Sequence, residues 1–226
     1  VSASSPNGNI IHVYEDWSHA IRDVQNNLIL NILTPGGELV RSAIVLTGRI
    51  FYPAIAVSSS NNILVVYQSY AIMNRLEAVI YDAAGNVIKS GFYLAGDASD
   101  TFECPSAVWD PSAQRFVVAW RQKSSGWYQL RLISFAADGT LGTSTTSQTV
   151  ETSLSAFLTP TLVPAFSGVC IFWNAVDIGT SASMIIRATY LRFESGFYEP
   201  DPSILMPSWN PVSTGLFEGP SGSTLG

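Results

Sequence analysis

Four polar residues stand at a constant spacing of 53 along the chain, each directly after an aromatic residue. The polar residues are Glu15, Gln68, Arg121 and Asn174, and the aromatic residues before them are Tyr14, Tyr67, Trp120 and Trp173. The same segments also carry Asp16, Trp17, Tyr70 and Trp127. Polar groups of these types hydrogen-bond sugar hydroxyls, and an exposed ring offers a sugar a flat apolar face. The pattern predicts a ligand-binding surface built from these eight residues, with packing of the rings onto their own loops as the alternative.

A second group of candidate residues is acidic. Asp97, Asp100 and Glu103 lie within one short segment, and carboxylates are the hard oxygen ligands that calcium prefers. Their spacing lacks the regular alternation of a calcium-binding loop of the EF-hand type, so a solvated acidic loop is the competing interpretation. No metal or other cofactor is predicted.

Acid–base chemistry has one candidate, His19, which lies near Asp16 and Asp23 in the sequence. No Ser or Cys nucleophile motif accompanies it. A pair of carboxylates at a defined gap, as glycoside hydrolysis needs, cannot be placed from the sequence either. We therefore predict a protein that is not an enzyme.

The elements that position these residues repeat with the same spacing. Each repeat contains four short segments rich in β-branched and aromatic residues, separated by Gly, Pro, Asn and Asp. Strand a opens after Pro53, Pro105 and Pro160, since proline at the first residue of a strand costs no ladder hydrogen bond. Strand b, as in 63–67, is apolar throughout and predicts burial on both faces. Strand c alternates and ends in a glycine turn, and strand d is polar like an outer edge.

Four strands per unit of this length predict an all-β fold, a β-propeller of four four-stranded blades. The expected domain covers residues 1–210. Its blades span about 1–48, 49–97, 98–151 and 152–207, and residues 208–226 form a closing strand or tail. The segment 17–27 has partial helical spacing and is interpreted as a decorated loop. One interpretation closes a ring of four blades through the tail, and the other completes a larger propeller with further segments or subunits.

The repeats resemble the propeller-type repeats of exported bacterial and archaeal surface proteins. The residues that carry the resemblance are Pro53-Ala-Ile-Ala, Val65-Val66-Tyr67 and Tyr81-Asp82-Ala-Ala-Gly85, with Pro105-Ser-Ala-Val, Val117-Val-Ala-Trp120 and Asp138-Gly139 one repeat later. The resemblance spans about residues 1–200 and is clearest in the second and third repeats. It implies the fold and an extracellular setting on a cell or virion surface. The kelch double glycine, the tryptophan-aspartate motif and the sialidase Asp-box are not found.

Composition excludes several classes of protein. The net charge is −6, and Lys89 and Lys123 are the only lysines among eleven basic residues, which argues against the basic surface that nucleic acid requires. The longest apolar runs fall far short of the roughly 20 residues needed to span a bilayer. Cys104 and Cys170 are the only cysteines, and the sequence leaves open whether they are free thiols or one disulfide.

These observations predict a non-catalytic extracellular recognition module that binds glycan or a protein receptor through its loop face. The alternative is a structural subunit of an extracellular or viral assembly such as a sheath, filament or capsid decoration. The segment that begins at Pro211 has the proline spacing of a fifth repeat and holds only a fragment of it. A homo-oligomer would suit that alternative, because a strand of a neighbouring subunit could complete this fragment.

Overall fold

A computed structural model of the chain describes residues 1–17, 26–70, 74–97, 99–141, 147–153, 159–177 and 183–200. The regular elements of the described residues are all β-strands. In chain order they are β1 (Ser2–Ser4), β2 (Ile10–Asp16), β3 (Asn26–Leu33), β4 (Leu39–Gly48), β5 (Ile50–Val57), β6 (Ile63–Ser69), β7 (Arg75–Tyr81), β8 (Val87–Gly96), β9 (Thr101–Asp110), β10 (Arg115–Ser124), β11 (Trp127–Ala136), β12 (Gln148–Ser153), β13 (Thr161–Ala165), β14 (Gly168–Asp177), β15 (Ser183–Glu194) and β16 (Phe197–Pro200).

The strands form four antiparallel sheets of four strands each, and every sheet follows chain order. The sheets are β1–β4, β5–β8, β9–β12 and β13–β16, here called blades 1 to 4. The first strands of successive blades contact one another, β1 with β5, β5 with β9 and β9 with β13. Sheets arranged with their first strands innermost define a β-propeller, so the predicted fold class is confirmed.

Apolar side chains fill the space between successive blades. One cluster joins blades 1 and 2, a second joins blades 2 and 3, and a third joins blades 3 and 4. All seven residues of β6 are buried, as the apolar run predicts, because its side chains alternate between the first and second clusters. Within the described residues, extended contacts join only consecutive blades, and closure of the ring stays a prediction.

The second strand of blade 1 differs from this expectation. Its residues Ile11 and Val13 are buried against blade 2, whereas Ile10 and Tyr14 on the other face are 38% and 37% exposed. The prediction that the second strand is buried on both faces is therefore wrong for β2. The physical reason is that β2 packs against one neighbouring blade in the described part of the chain, while β6 packs against two.

Pro53 and Pro105 lie inside β5 and β9, which corrects the prediction that these strands open after them, whereas β13 begins directly after Pro160 as predicted. Strand β5 begins at Ile50 and β9 at Thr101, and the pairing register shifts at Pro53 and again at Pro105. At each shift two residues of the inner strand oppose one residue of the next strand, which is a β-bulge. A bulge leaves one residue outside the ladder, so the missing N–H of proline is tolerated there.

Each bulge also carries an unusual backbone conformation. Tyr52 has φ 53° and Cys104 has φ 52°, and each directly precedes its proline. Residues other than glycine rarely adopt positive φ, and such positions concentrate at functional sites. Cys104 and Cys170 are both free and half-buried.

No described segment is a helix of the length and apolar character needed to cross a membrane. The proposed loop at 17–27 lies mostly outside the described residues, as does His19, and the closing segment 208–226 lies entirely outside them.

Candidate functional site

One face of the propeller, here called the mouth face, carries the ends of β2, β6, β10 and β14 and the beginnings of β5 and β9. The four polar residues that repeat in the sequence lie here. Each of them directly follows an aromatic residue, here called the anchor, on the second strand of its blade. In blades 2 and 3 the anchor lies opposite the two bulge residues. The polar residue lies opposite the residue that directly precedes the bulge. Gln68 thus pairs with Phe51, and Arg121 with Glu103.

Glu15 reaches from blade 1 to the bulge of blade 2. Its Oε1 accepts a hydrogen bond from the backbone N–H of Tyr52 at 3.1 Å, and its Oε2 accepts one from Asn26 Nδ2 at 3.3 Å. Asn26 is itself fixed by two bonds to the backbone of Ile50, at 2.7 and 3.0 Å. The Glu15 carboxylate is therefore held against the inner strand of the next blade by neutral donors.

Glu103 is the second carboxylate of the mouth face. It forms an ion pair with Arg121, whose Nε donates to Oε2 at 3.0 Å and whose Nη2 also contacts that oxygen. The two side chains are 26% and 18% exposed, so the pair is shielded but still reached by solvent. A guanidinium that contacts one oxygen through two nitrogens fixes the carboxylate firmly.

An aromatic cluster consisting of Trp17, Phe51, Tyr52 and Tyr70 surrounds the beginning of β5. The Phe51 ring lies 6.0 Å from Trp17, 6.3 Å from Tyr52 and 5.5 Å from Tyr70, the last in an edge-to-face arrangement. Trp17 is 44% exposed and Tyr52 is 52% exposed. The cluster offers apolar ring surface to solvent at the mouth, of the kind on which a sugar ring stacks.

A hydrogen-bond network lies beside this cluster. Gln68 Nε2 donates to Tyr70 Oη at 2.6 Å and to Asn74 Oδ1 at 3.1 Å, and Asn74 Nδ2 donates to the backbone oxygen of Asp100 at 2.9 Å. Gln122 Nε2 donates to the Asp100 carboxylate at 2.6 Å. Gln68 is completely buried, and its Oε1 has no partner among the described residues.

Tyr70 links the network to Glu103. Burial raises the pKa of the Tyr70 hydroxyl above its ordinary value, and the negative charge of Glu103 raises it further. The hydrogen bond from Gln68 and the charge of Arg49 act in the opposite direction. The guanidinium of Arg49 lies 5.8 Å from the centre of the Tyr70 ring, and its backbone oxygen accepts a bond from the Tyr70 N–H at 2.9 Å.

Other residues selected from the sequence stand apart from this group. Trp127 begins β11 after a tight turn and is 46% exposed, with no ring contact to the aromatic cluster in the described part of the chain. Asn174 lies on β14 opposite Ile186, and Asp16 ends β2 opposite Asn27. The ligand-binding role of all eight residues stays a prediction.

The three acidic residues considered for calcium are each bonded to protein groups, and the Ser99 hydroxyl contacts both Asp97 and Asp100. Asp97 accepts from the backbone and hydroxyl of Ser99, the Asp100 carboxylate accepts from Gln122, and Glu103 pairs with Arg121. Among the residues that the structure describes, no three His, Cys, Asp or Glu side chains are grouped as a metal site requires.

Sequence reasoning missed Phe51, Tyr52 and the location of Glu103 inside a strand. The signal that was available is the pair of residues directly before each strand proline, Phe51-Tyr52 and Glu103-Cys104. These pairs occupy the bulges of blades 2 and 3, where side chains leave the regular alternation of the sheet.

Comparisons with known proteins establish the fold and no family. Neither the family models nor the curated proteins contain a match to this chain. Solved structures do match it. They include a Hadza microbial sialidase (12% identity, TM-score 0.59, covering 89% of this chain and 45% of the sialidase). An ulvan lyase of polysaccharide lyase family 25 matches at 10% identity with TM-score 0.57, covering 88% of this chain and 56% of the lyase.

An alpha-L-arabinanase from Penicillium chrysogenum, in complex with arabinobiose, matches at 10% identity and TM-score 0.56. That match covers 85% of this chain and 64% of the arabinanase. The chain thus spans about half to two thirds of the length of these three proteins. Similarity at such low identity shows a shared propeller fold.

The same finding corrects the functional predictions. The prediction of a non-catalytic recognition module, and with it the prediction that the protein is not an enzyme, is wrong: the similar solved structures named above are a sialidase, a polysaccharide lyase and an arabinanase. The alternative of a structural subunit fails on the same ground. The absence of Ser, Cys and His motifs does not argue against an enzyme, because a pair of carboxylates is sufficient to cleave a glycosidic bond.

Proposed function

We propose that this protein is a carbohydrate-active enzyme that hydrolyses glycosidic bonds at the mouth face. The observation that carries the proposal is the presence of two fixed carboxylates, Glu15 of blade 1 and Glu103 of blade 3, on either side of blade 2 and its aromatic cluster. Glu15 is tied to Tyr52, and Glu103 influences Tyr70, so each carboxylate is linked to a different member of that cluster.

The chemistry of hydrolysis matches these parts. One carboxylic acid donates its proton to the glycosidic oxygen as the bond to the anomeric carbon breaks. The other carboxylate takes a proton from the attacking water or attacks the anomeric carbon itself. Glu103 suits the second role, because Arg121 balances its negative charge. Glu15 has no cationic partner among the described residues, in contrast to Glu103, and is assigned the role of acid.

The aromatic cluster supplies binding. Stacking of a sugar ring on Trp17 or Tyr52 places the glycosidic bond near the inner strands, where both carboxylates are held. Fixed orientation of the reacting groups contributes several kcal/mol to catalysis, and residues anchored on strands hold such positions better than loop residues. An extracellular location, predicted from the repeats, suits an enzyme that acts on polysaccharides too large to enter a cell.

The test is an activity assay with matched variants. The protein is incubated with linear arabinan, ulvan and a sialylated glycoprotein, and the release of reducing ends or free sialic acid is measured. Glu103→Gln and Glu15→Gln are each expected to lower kcat by about 10²–10⁴-fold with little change in thermal stability. Glu38→Gln is the control, since Glu38 is exposed on a turn at the opposite end of the blades.

Three results would contradict the proposal. The first is full activity of Glu103→Gln, because hydrolysis would then not depend on the assigned carboxylate. The second is the absence of any hydrolytic product with wild-type protein on all three substrates. The third is the formation of unsaturated uronate products, seen by their ultraviolet absorbance, because they would show elimination in place of hydrolysis.

A further inference from the structure

We infer that Tyr70 contributes its hydroxyl proton, rather than its ring, to the site, as a fixed hydrogen-bond donor to an oxygen of the bound sugar. The inference rests on the proposed function and adds a substrate contact that the two carboxylates do not provide. It follows from which group donates and which group accepts in each hydrogen bond of the buried network beside Tyr70.

The direction is set at the backbone oxygen of Asp100. A carbonyl oxygen can only accept, so the side-chain group of Asn74 that lies 2.9 Å from it must be the amide nitrogen. The other end of that amide, Oδ1, therefore faces Gln68 and accepts. Gln68 must therefore present Nε2 to Asn74. This nitrogen donates one hydrogen to Asn74 Oδ1 and the other to Tyr70 Oη.

The second neighbour of Gln68 Nε2 is the Tyr70 hydroxyl, 2.6 Å away. Since the nitrogen donates, the Tyr70 oxygen accepts, and the phenolic proton is directed elsewhere. No other described residue accepts a hydrogen bond from this hydroxyl. Within the described part of the chain this half-buried hydroxyl therefore has a proton without an acceptor, and a ligand bound at the mouth can accept it.

The unpartnered oxygen of Gln68 shows that this direction is maintained at a cost. Gln68 Oε1 is buried and has no partner among the described residues, and leaving a buried acceptor unsatisfied costs about 1–3 kcal/mol. Exchanging the two ends of the Gln68 amide would place two acceptors, Oε1 and Asn74 Oδ1, against each other. A buried acceptor without a partner calls for an explanation, and orienting Tyr70 supplies one for Gln68.

The position of Tyr70 suits donation and not proton transfer. Its N–H is bonded to Arg49 O at 2.9 Å and its ring meets Phe51 edge to face at 5.5 Å, so the hydroxyl is fixed in place. Burial and the charge of Glu103 raise the pKa of the hydroxyl, so it keeps its proton throughout the neutral range. Effective general acids and bases have a pKa near the working pH, which Tyr70 does not have.

The decisive experiment compares Tyr70→Phe with Tyr93→Phe on the polysaccharide that the wild-type protein cleaves in the panel above. Tyr93 is a matched control on the outer strand β8, because its hydroxyl also accepts from a side-chain donor at 2.6 Å, in this case Arg75. We expect kcat/KM to fall about 10-fold for Tyr70→Phe, the loss of one hydrogen bond to substrate, and to stay unchanged for Tyr93→Phe.

A second variant tests the direction of the network. In Gln68→Glu a carboxylate replaces the donor and accepts the Tyr70 proton, which turns it away from the substrate. The activity of this variant should fall by a similar factor, and the double variant Gln68→Glu/Tyr70→Phe should be no worse than either single variant. If the buried charge prevents folding, as thermal unfolding will show, Tyr70→Phe alone decides the question.

The outcomes separate the two proposals. Unchanged kcat/KM in Tyr70→Phe, together with inactive Glu103→Gln, overturns the donor role of Tyr70 and leaves the hydrolase proposal standing. Additive losses in the double variant also overturn it, because they indicate independent structural effects. Absence of any activity in the wild-type protein removes both proposals.

Discussion

The two ends of the blades follow different rules. At the end opposite the mouth, here called the base face, the turns of different blades repeat one hydrogen-bond pattern. The turns that begin at Thr34, Asp82 and Ala136 each close with two backbone bonds of 2.8–3.0 Å, and corresponding atoms of the three turns make them. At the mouth face each blade instead has a different polar residue after its aromatic anchor, and the bulges of blades 2 and 3 carry different residues.

This difference separates the part of the molecule that holds the fold from the part that carries chemistry. At the base face the fully buried Asp110 is satisfied, because its carboxylate accepts four hydrogen bonds. At the mouth face the fully buried Gln68 has an oxygen without a partner among the described residues, and Tyr52 and Cys104 adopt positive φ inside strands, whereas Asn61 and Gln114 at the base face adopt it in the connections between strands. Changes at the base face should therefore affect stability, and changes at the mouth face should affect activity.

The largest effect on stability is expected at Asp110. Its Oδ2 accepts from Tyr198 Oη of blade 4 at 2.6 Å, and its Oδ1 accepts from Ser112 and Ala113. Asp110→Ala leaves these donors unpaired and should lower the free energy of unfolding by about 3 kcal/mol, measured by urea denaturation. Tyr198→Phe removes a single bond and should cost about 1–2 kcal/mol. Equal losses in the two variants would show that the link between blades, rather than the turn, carries the effect.

Glycine turns at the two faces allow a matched test of intermediate size. Gly139 on the base face has φ +79°, and an added Cβ would lie 2.6 Å from Lys89 Cδ and 2.9 Å from Ile80 Cδ1 of blade 2. Gly126 on the mouth face has φ +85° and nothing within 4 Å of an added Cβ. Gly126→Ala should cost about 1 kcal/mol from backbone strain alone, and Gly139→Ala about 2 kcal/mol, because it also disturbs the neighbouring blade. Equal costs would contradict close packing of the base-face turns.

The smallest effect concerns pH. Hydrogen bonds from Asn86, first from its side chain, lower the pKa of the exposed Asp82 below its ordinary value. The contribution of this carboxylate to stability is therefore fully present above the ordinary pKa of an aspartate and is lost as the pH falls through the lowered one. Asp82→Asn should show a smaller fall in Tm between pH 7 and pH 3 than wild type. Asp138→Asn should behave alike, since Thr140 lowers the pKa of Asp138 in the equivalent turn. Identical pH dependence in all three proteins would contradict this account.

The architecture was accessible from the sequence because it depends on repetition. The aromatic anchors at 14, 67, 120 and 173 mark the second strand of every blade, and the apolar run at β6 is buried on both faces as expected. The bulges could not be predicted from the sequence. A strand proline is compatible with a strand start and with a bulge, and only pairing with the next strand distinguishes the two.

The candidate site was partly predictable for the same reason. Gln68 and Tyr70 were selected by their position after an anchor, and the structure joins them in one network. Glu103 was assigned to an acidic loop because β9 was expected to begin at Pro105 and not at Thr101. Phe51 and Tyr52 stand before a strand proline as Glu103 and Cys104 do, but the contact of Tyr52 with Glu15 depends on packing between blades, which the sequence does not show.

The bulges at Pro53 and Pro105 have a consequence for how such a molecule diversifies. Tyr52 and Cys104 occupy equivalent positions in neighbouring blades, yet they differ in size and in chemistry. An unpaired residue can be exchanged without moving the strand register, so a duplicated blade acquires a new reactive group at the mouth while its core is inherited unchanged. These two positions are accordingly the natural places to randomise when the specificity of the protein is to be evolved in the laboratory.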